Sequence, residues 1–178
     1  LVDRLGRLDL LHHDNAALHL TPDGRREALR VIRIHRLWER YLADETGLDA
    51  REWHAHAERR EHGTSEQQAA ALAATLGHPR FDPHGDPIPM PSGEIPPHQG
   101  MPLTQLTSDM AAEIVHIEDE PEAVFAQIVA LGLVPGMRVR LLERTPHRLR
   151  VQADAEEVVL APVIAANITV VALDEVAE

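Results

Sequence analysis

Seven of the thirteen prolines in this 178-residue chain fall between residues 78 and 100, in "HPRFDPHGDPIPMPSGEIPPHQG". Proline fixes φ, lacks an amide proton and drives the residue before it out of the helical region. A segment so interrupted makes neither a regular helix nor a central strand, so the chain divides there. Residues 78–100 read as an extended linker between a helical part and a part built of short strands.

The helical part opens with "LVDRLGRLDLLHHDNAALHL". Leu1, Leu5 and Leu8 have helical spacing, and Leu10 to His13 and Ala17 to Leu20 can pair as strands about a turn at Asp14-Asn15. In "TPDG", Thr21 suits an N-cap, Pro22 the first helical position and Asp23 the positive helix end. A long helix follows, with Leu29, Ile32, Leu37 and Tyr41 apolar and Gly47 as its stop. A second helix runs from about Asp49 to His62, and Thr64 and Ser65 cap a third that reaches Leu76-Gly77. Trp38, Trp53, Leu42 and Leu48 read as core or dimer contacts.

From Met101 the rhythm is that of short β-runs. "AAEIVHIE", "MRVRLLER", "RLRVQAD", "EEVVLAP" and "ITVVAL" alternate as strands, with "PEAVFAQIVALG" as a helix beginning at Pro121. In "MRVRLLER", Val139 and Leu141 share one face. Together these make a small barrel-like unit, and the fold class is α+β.

Composition narrows the chemistry. Aromatic residues are 3% of the chain, so the core must be aliphatic. There is no cysteine, which excludes disulfides, thiolate zinc sites and cysteine nucleophiles and is compatible with a cytoplasmic location. All 17 basic residues are Arg, which removes lysine chemistry. The net charge is −12, yet residues 1–40 carry eight Arg against six acids, and the acidic remainder would repel a phosphate backbone. The longest apolar run, around Val158 to Ile168, is broken by Pro162 and Asn167 and falls short of the ~20 residues that span a bilayer. The start at Leu1, without a signal-peptide pattern, reads as a cut within a longer protein.

The second helix holds the densest cluster of potential ligands, "WHAHAERREH" at residues 53–62. At about 100° per residue from His54, Glu58 falls at about 40°, Glu61 at about −20° and His62 at about 80°. His56, Arg59 and Arg60 lie away from this arc. On the long helix, His35 and Glu39 repeat the i, i+4 spacing. Two facing helices can therefore converge six N/O ligands, a set that suits Mn(II), Fe(II), Co(II) or Zn(II), with carboxylate favouring the harder Mn(II). His78, His84 and His98, in or beside the linker, read as exposed or bonded to loop backbone. His116 is set aside as a ligand.

These residues resemble the metal-dependent repressors of the diphtheria-toxin-repressor and manganese-transport-regulator family. "LTPDGR" is similar to the end of a wing and the start of a connecting helix. "HRLWERYL", "GLD", "WHAHAERREH" and "DPHGDPIP" follow in the family's order, and "LGLVPGMRVRLLER" is similar to the SH3-like, FeoA-type domain of many members. The resemblance implies a winged-helix remnant over 1–21, a helical metal-binding and dimerisation domain over 22–77, the linker 78–100 and an SH3-like domain over 101–178.

It also implies two metal sites. The ancillary site matches His35, Glu39 and His54, completed by Asp119 and Glu122 from "IVHIEDEPE". The primary site matches Glu58, Glu61 and His62, whose further ligands belong to a helix absent from this chain. Glu58 stands where iron-responsive members have Cys, as in manganese-responsive members.

The expected function is that of the metal-sensing, dimerising part of a Mn(II)- or Fe(II)-dependent transcriptional repressor, with no catalytic residue. Mn(II) is the expected metal, and Zn(II), Co(II) or Cd(II) would substitute in vitro. The expected partners are a second copy of the chain and, in the full-length protein, operator DNA. Arg4, Arg7, His12 and His13 are the candidates to meet phosphates, although the present chain alone is expected to bind operator poorly. No membrane or small-molecule substrate is expected. The alternatives are a regulatory tail of a membrane metal transporter or a metal-dependent hydrolase.

Overall fold

The computed structural model of the chain describes residues 2–14, 17–97, 99–108 and 110–173. It has two compact units. The first takes in the chain up to Gly47, Trp53–Arg80 and Pro87–Pro96; the second takes in Leu48–Glu52, Phe81–Asp86 and the chain from Pro97.

The first unit begins with α1 (Val2–Arg7) and a hairpin of β1 (Leu11–Asp14) and β2 (Ala17–Leu20), in which Leu11 faces Leu20 and Asp14 faces Ala17. Helix α2 (Pro22–Glu45) follows at once. Thr21 caps it by accepting the Gly24 amide at 3.0 Å, with Pro22 in the first turn as the sequence predicts. The cap also ties the helix to the hairpin, because the Thr21 hydroxyl donates to the Asp9 carbonyl at 2.6 Å and its amide to the Leu10 carbonyl at 3.1 Å.

Gly24 completes that junction. A Cβ at this position would lie 1.9 Å from the Leu10 carbonyl oxygen, so only glycine lets the first turn of α2 approach the chain entering β1.

Helix α3 spans Ala50–Glu61 and α4 spans Glu66–Thr75, the latter opened by a full capping box in which Ser65 and Gln68 satisfy each other's backbone amides. Ile34 and Leu37 of α2 pack with Ala69 and Ala73 of α4, whose small side chains allow close approach, and with Ile88. Each large aliphatic side chain buried here contributes roughly 1.5–3 kcal/mol.

The presence of Ile88 in that core corrects the reading of residues 78–100 as a spacer. Ile88 is 1% exposed, and Arg33 and Arg36 of α2 donate to the carbonyls of Pro89 at 2.7 Å and Pro87 at 2.6 Å. Proline removes backbone donors but leaves carbonyl acceptors, and arginine supplies the missing partners. Residues 87–96 are thereby built into the helical unit, while residues 81–86 belong to the other.

The second unit contains β3 (Met101–Pro102), a 3-10 turn (Leu103–Gln105), β4 (Ala111–Ile117), α5 (Glu122–Ala130), β5 (Arg138–Arg144), β6 (Leu149–Ala153), β7 (Glu156–Leu160), α6 (Pro162–Ala165) and β8 (Ile168–Ala172). All pairings are antiparallel in the order β3-β8-β4-β5-β6-β7, so the last strand inserts beside β4. Val139 and Leu141 face the aliphatic core while Arg138 and Arg140 face out, as alternation predicts.

Residues 81–86 lie against this sheet. The Asp82 carboxylate accepts the amides of His84 and Asp86, both at 2.9 Å, and the His84 carbonyl accepts the Ile117 amide at 2.8 Å. Gly85, at φ +94°, has the Val115 carbonyl oxygen 2.0 Å from the position a Cβ would take. Among the described residues no helix is long and apolar enough to cross a membrane.

Candidate metal centre

Helices α2 and α3 bring His35, Glu39 and His54 together, with one ligand atom from each within 4.8 Å of the others. The i, i+4 spacing puts Glu39 one turn beyond His35, and His35 Nε2 lies 3.0 Å from Glu39 Oε1. His54 Nδ1 lies 3.2 Å from the same His35 nitrogen and 3.4 Å from Glu39 Oε1.

Glu61 reaches the other side of the His35 ring, with Oε2 2.6 Å from Nδ1. Glu61 Oε1 lies 3.3 Å from His62 Nε2. The imidazole of His35 therefore joins a residue expected in the primary set, Glu61, to the two expected beside it in the ancillary set.

Burial decides the electrostatics. The side chains of Glu39 and Glu61 are 3% and 11% exposed, so their negative charges need a nearby compensating charge. Burial also works against a charged His35, but the hydrogen bond and charge of Glu39, with the hydrogen bond of Glu61, outweigh it and hold its pKa above the usual histidine value. A carboxylate on each nitrogen favours the doubly protonated ring, which donates on both sides.

The donors fit a divalent cation. They are two imidazoles and buried carboxylate, with no sulfur, and bond lengths of about 2.0–2.2 Å let one ion span atoms this close. His35, Glu39 and His54 would hold it, and the ion would supply the positive charge that protonated His35 supplies without it.

The other candidate residues are placed as follows. Glu58 is exposed on α3, and His62 is exposed in the turn that follows the helix. His56 is turned to Arg60, whose guanidinium donates to the His56 carbonyl at 2.8 Å and stands 5.4 Å above the Trp38 ring. Trp38 packs against the helical core and Leu42 is buried. Asp119 and Glu122 belong to the second unit, Asp119 just beyond β4 and Glu122 as the first residue of α5.

Asp119 Oδ2 lies 4.0 Å from His84 Nδ1. His84, expected to be exposed or bonded to loop backbone, is instead 3% exposed, with its ring edge-on to Phe125 at 5.1 Å. Its signal in the sequence was the Asp82-Pro-His-Gly-Asp86 spacing, a tight-turn pattern that folds the loop inward. His78 is exposed, and His98 lies outside the described residues.

His116 is buried and lies 3.5 Å from Asp86. It continues the alternation of β4, in which Ala112, Ile114 and His116 are the buried positions. Arg4, Arg7, His12 and His13 are all exposed, on α1 and β1.

Two families match consecutive parts of the chain: "Iron dependent repressor, metal binding and dimerisation domain" over residues 21–90 and "FeoA domain" over residues 101–172. The chain is 35% identical over 152 residues to the iron-dependent repressor IdeR of Mycobacterium leprae, a match that takes in 78% of this chain and 66% of that protein. The chain thus spans slightly less than two thirds of that relative's length.

A solved structure described as a manganese-dependent transcriptional repressor in complex with manganese superimposes with a TM-score of 0.84. It is 33% identical, and the match covers 97% of this chain and 82% of the other. A shorter match, 37% identical over 70 residues, is to a probable metal transport system membrane protein of Chlamydia trachomatis, covering 39% of this chain and 16% of that protein. With a third of its residues shared across nearly its whole length with such a repressor, and with the metal-binding and FeoA domains in consecutive order, the chain belongs to the diphtheria-toxin-repressor and manganese-transport-regulator family of metal-dependent repressors.

Proposed function

We propose that this chain is the metal-sensing and dimerising part of a Mn(II)- or Fe(II)-dependent transcriptional repressor that acts on operator DNA in the cytoplasm as a homodimer. The observation that carries the reading is the convergence of His35, Glu39 and His54 from two helices, with Glu61 bonded to the same His35 ring. Mn(II) is the preferred ion because the buried donors include carboxylate and no sulfur; Zn(II), Co(II) and Cd(II) would substitute in vitro.

The signal has a physical route. Thr21 and Gly24 lock the start of α2 to the hairpin, and His35 lies 14 residues further along the same helix, about 21 Å at 1.5 Å per residue. A helix is stiff over that distance, so fixing α2 against α3 at His35 biases the position of the hairpin at the other end. Arg4, Arg7, His12 and His13 would then meet phosphates, which position a protein on DNA without reading sequence. Asp119 and Glu122 remain candidate ligands by family resemblance.

The 70-residue similarity to the chlamydial protein leaves a second reading to test, a sensing tail joined to a membrane metal transporter, which the longer matches to repressors do not favour. The two share the metal site and differ in output. Calorimetry with Mn(II) tests the site: His35→Ala and Glu39→Ala should each abolish or greatly weaken binding, and unchanged binding overturns the assignment. Mn(II)-dependent retention of palindromic DNA by the protein at its natural length tests the output. Its absence overturns the repressor reading.

A further inference from the structure

The hairpin carries a histidine pair that the α2–α3 centre does not use. His12 of β1 and His19 of β2 stand directly opposite in the antiparallel register, and their rings stack with centroids 5.5 Å apart and planes 24° apart. Both residues are exposed. The next pair, His13 and Leu18, points to the other face, and Asp14 returns to the first face about 7 Å along the strand.

We propose that His12 and His19 form a second metal site, for a dication that prefers imidazole, of the Zn(II) class. Zinc–nitrogen bonds are about 2.0–2.1 Å, so two imidazoles on a tetrahedral ion have ring centroids about 5.2 Å apart. The metal-free spacing of 5.5 Å is already close to that value. Rotation about exposed side-chain torsions turns one nitrogen of each ring to a shared point, and no backbone movement is needed. Water, or the Asp14 carboxylate, completes the shell.

This site differs in kind from the one on α2 and α3. Its two donors are imidazoles without a buried carboxylate, which lowers its preference for Mn(II) relative to Zn(II). Its consequence is also different. A two-stranded hairpin is marginal alone, and a chelate across the strands pins its register and adds positive charge to that face.

The test is a Zn(II) titration of the whole chain, followed through the histidine ring resonances by NMR and assigned with His12→Thr, His13→Thr and His19→Thr, changes that keep strand propensity. After the α2–α3 centre has filled, the His12 and His19 resonances should shift with one common midpoint. His12→Thr should weaken the His19 response at least tenfold, and His19→Thr the His12 response, while His13→Thr leaves both unchanged. Amide exchange in β1 and β2 should slow with Zn(II) in the unaltered chain and in His13→Thr, and in neither His12→Thr nor His19→Thr. Independent midpoints, no response, or a His19 shift that survives His12→Thr would overturn the proposal.

Discussion

His35 on α2 and Glu61 on α3 are joined at 2.6 Å through Nδ1 and Oε2, while the opposite nitrogen of the same ring faces Glu39 at 3.0 Å. One imidazole thus spans two buried carboxylates from different helices. Glu61 is consequently a partner of the His35 centre as well as a candidate ligand in its own right.

Replacing Glu61 should therefore disturb metal binding at His35. Carboxylate partners of a liganding histidine orient the ring and raise its basicity, and their loss commonly costs about 10–100-fold in metal affinity. Glu61→Ala should weaken Mn(II) binding by about that range in calorimetry. If Glu61→Ala binds with full affinity and stoichiometry, the bond is incidental to the site.

The raised pKa of His35 gives the metal-free protein a defined pH dependence. A folded-state pKa above the unfolded value means that the native state binds the proton more tightly. The resulting stability is fully present below the unfolded pKa of about 6.5 and is lost as pH rises through the higher folded value. His116 is also raised: burial opposes its charge, but the hydrogen bond and charge of Asp86 prevail. It acts over the same window. Urea midpoints in chelator should fall with rising pH, and the fall should be smaller in His35→Gln. Mn(II) affinity should rise over that window because ion and proton compete for His35. An identical pH profile in His35→Gln would remove His35 from this account.

Periodicity made the helices legible, and even the Thr21 and Ser65 caps could be placed from the sequence. The strands from Ala111 onward were equally clear from alternation. The four-residue α6 and two-residue β3 are too short to show a period. The candidate site was legible as two clusters at helical spacing, but its central contact was not. Which nitrogen of His35 meets which acid depends on how α2 and α3 face each other, and single-helix geometry places Glu61 near His54 without revealing that it reaches the far side of the His35 ring. The burial of Ile88 and His84 was hidden for another reason: proline density reports what the backbone cannot form, and says nothing of what its side chains cover.

Ile88 offers a direct test of that last point. It is an apolar anchor, 1% exposed, in a segment whose carbonyls are held by Arg33 and Arg36. Ile88→Ala should cost about 2–5 kcal/mol in urea unfolding, as for other large-to-small changes in a packed core. A loss below about 0.5 kcal/mol, the range of ordinary surface substitutions, would show that the segment is a spacer after all.

Gly24 separates sensing from its mechanical consequence. A Cβ there would fall 1.9 Å from the Leu10 carbonyl oxygen, a backbone atom that cannot swing aside as a side chain could. Gly24→Ala must therefore displace the chain leading into the hairpin, even though alanine is the better helix former by about 0.8–1.0 kcal/mol. His35 lies three helical turns away on α2 and touches none of the displaced atoms. Calorimetry of Gly24→Ala should accordingly show near-normal Mn(II) affinity, while NMR shows altered backbone shifts from Leu8 through Leu20 and a weakened response of the β1 and β2 amides to Mn(II). An unchanged response of the β1 and β2 amides to bound Mn(II) would mean that the link between site and wing does not run through the start of α2.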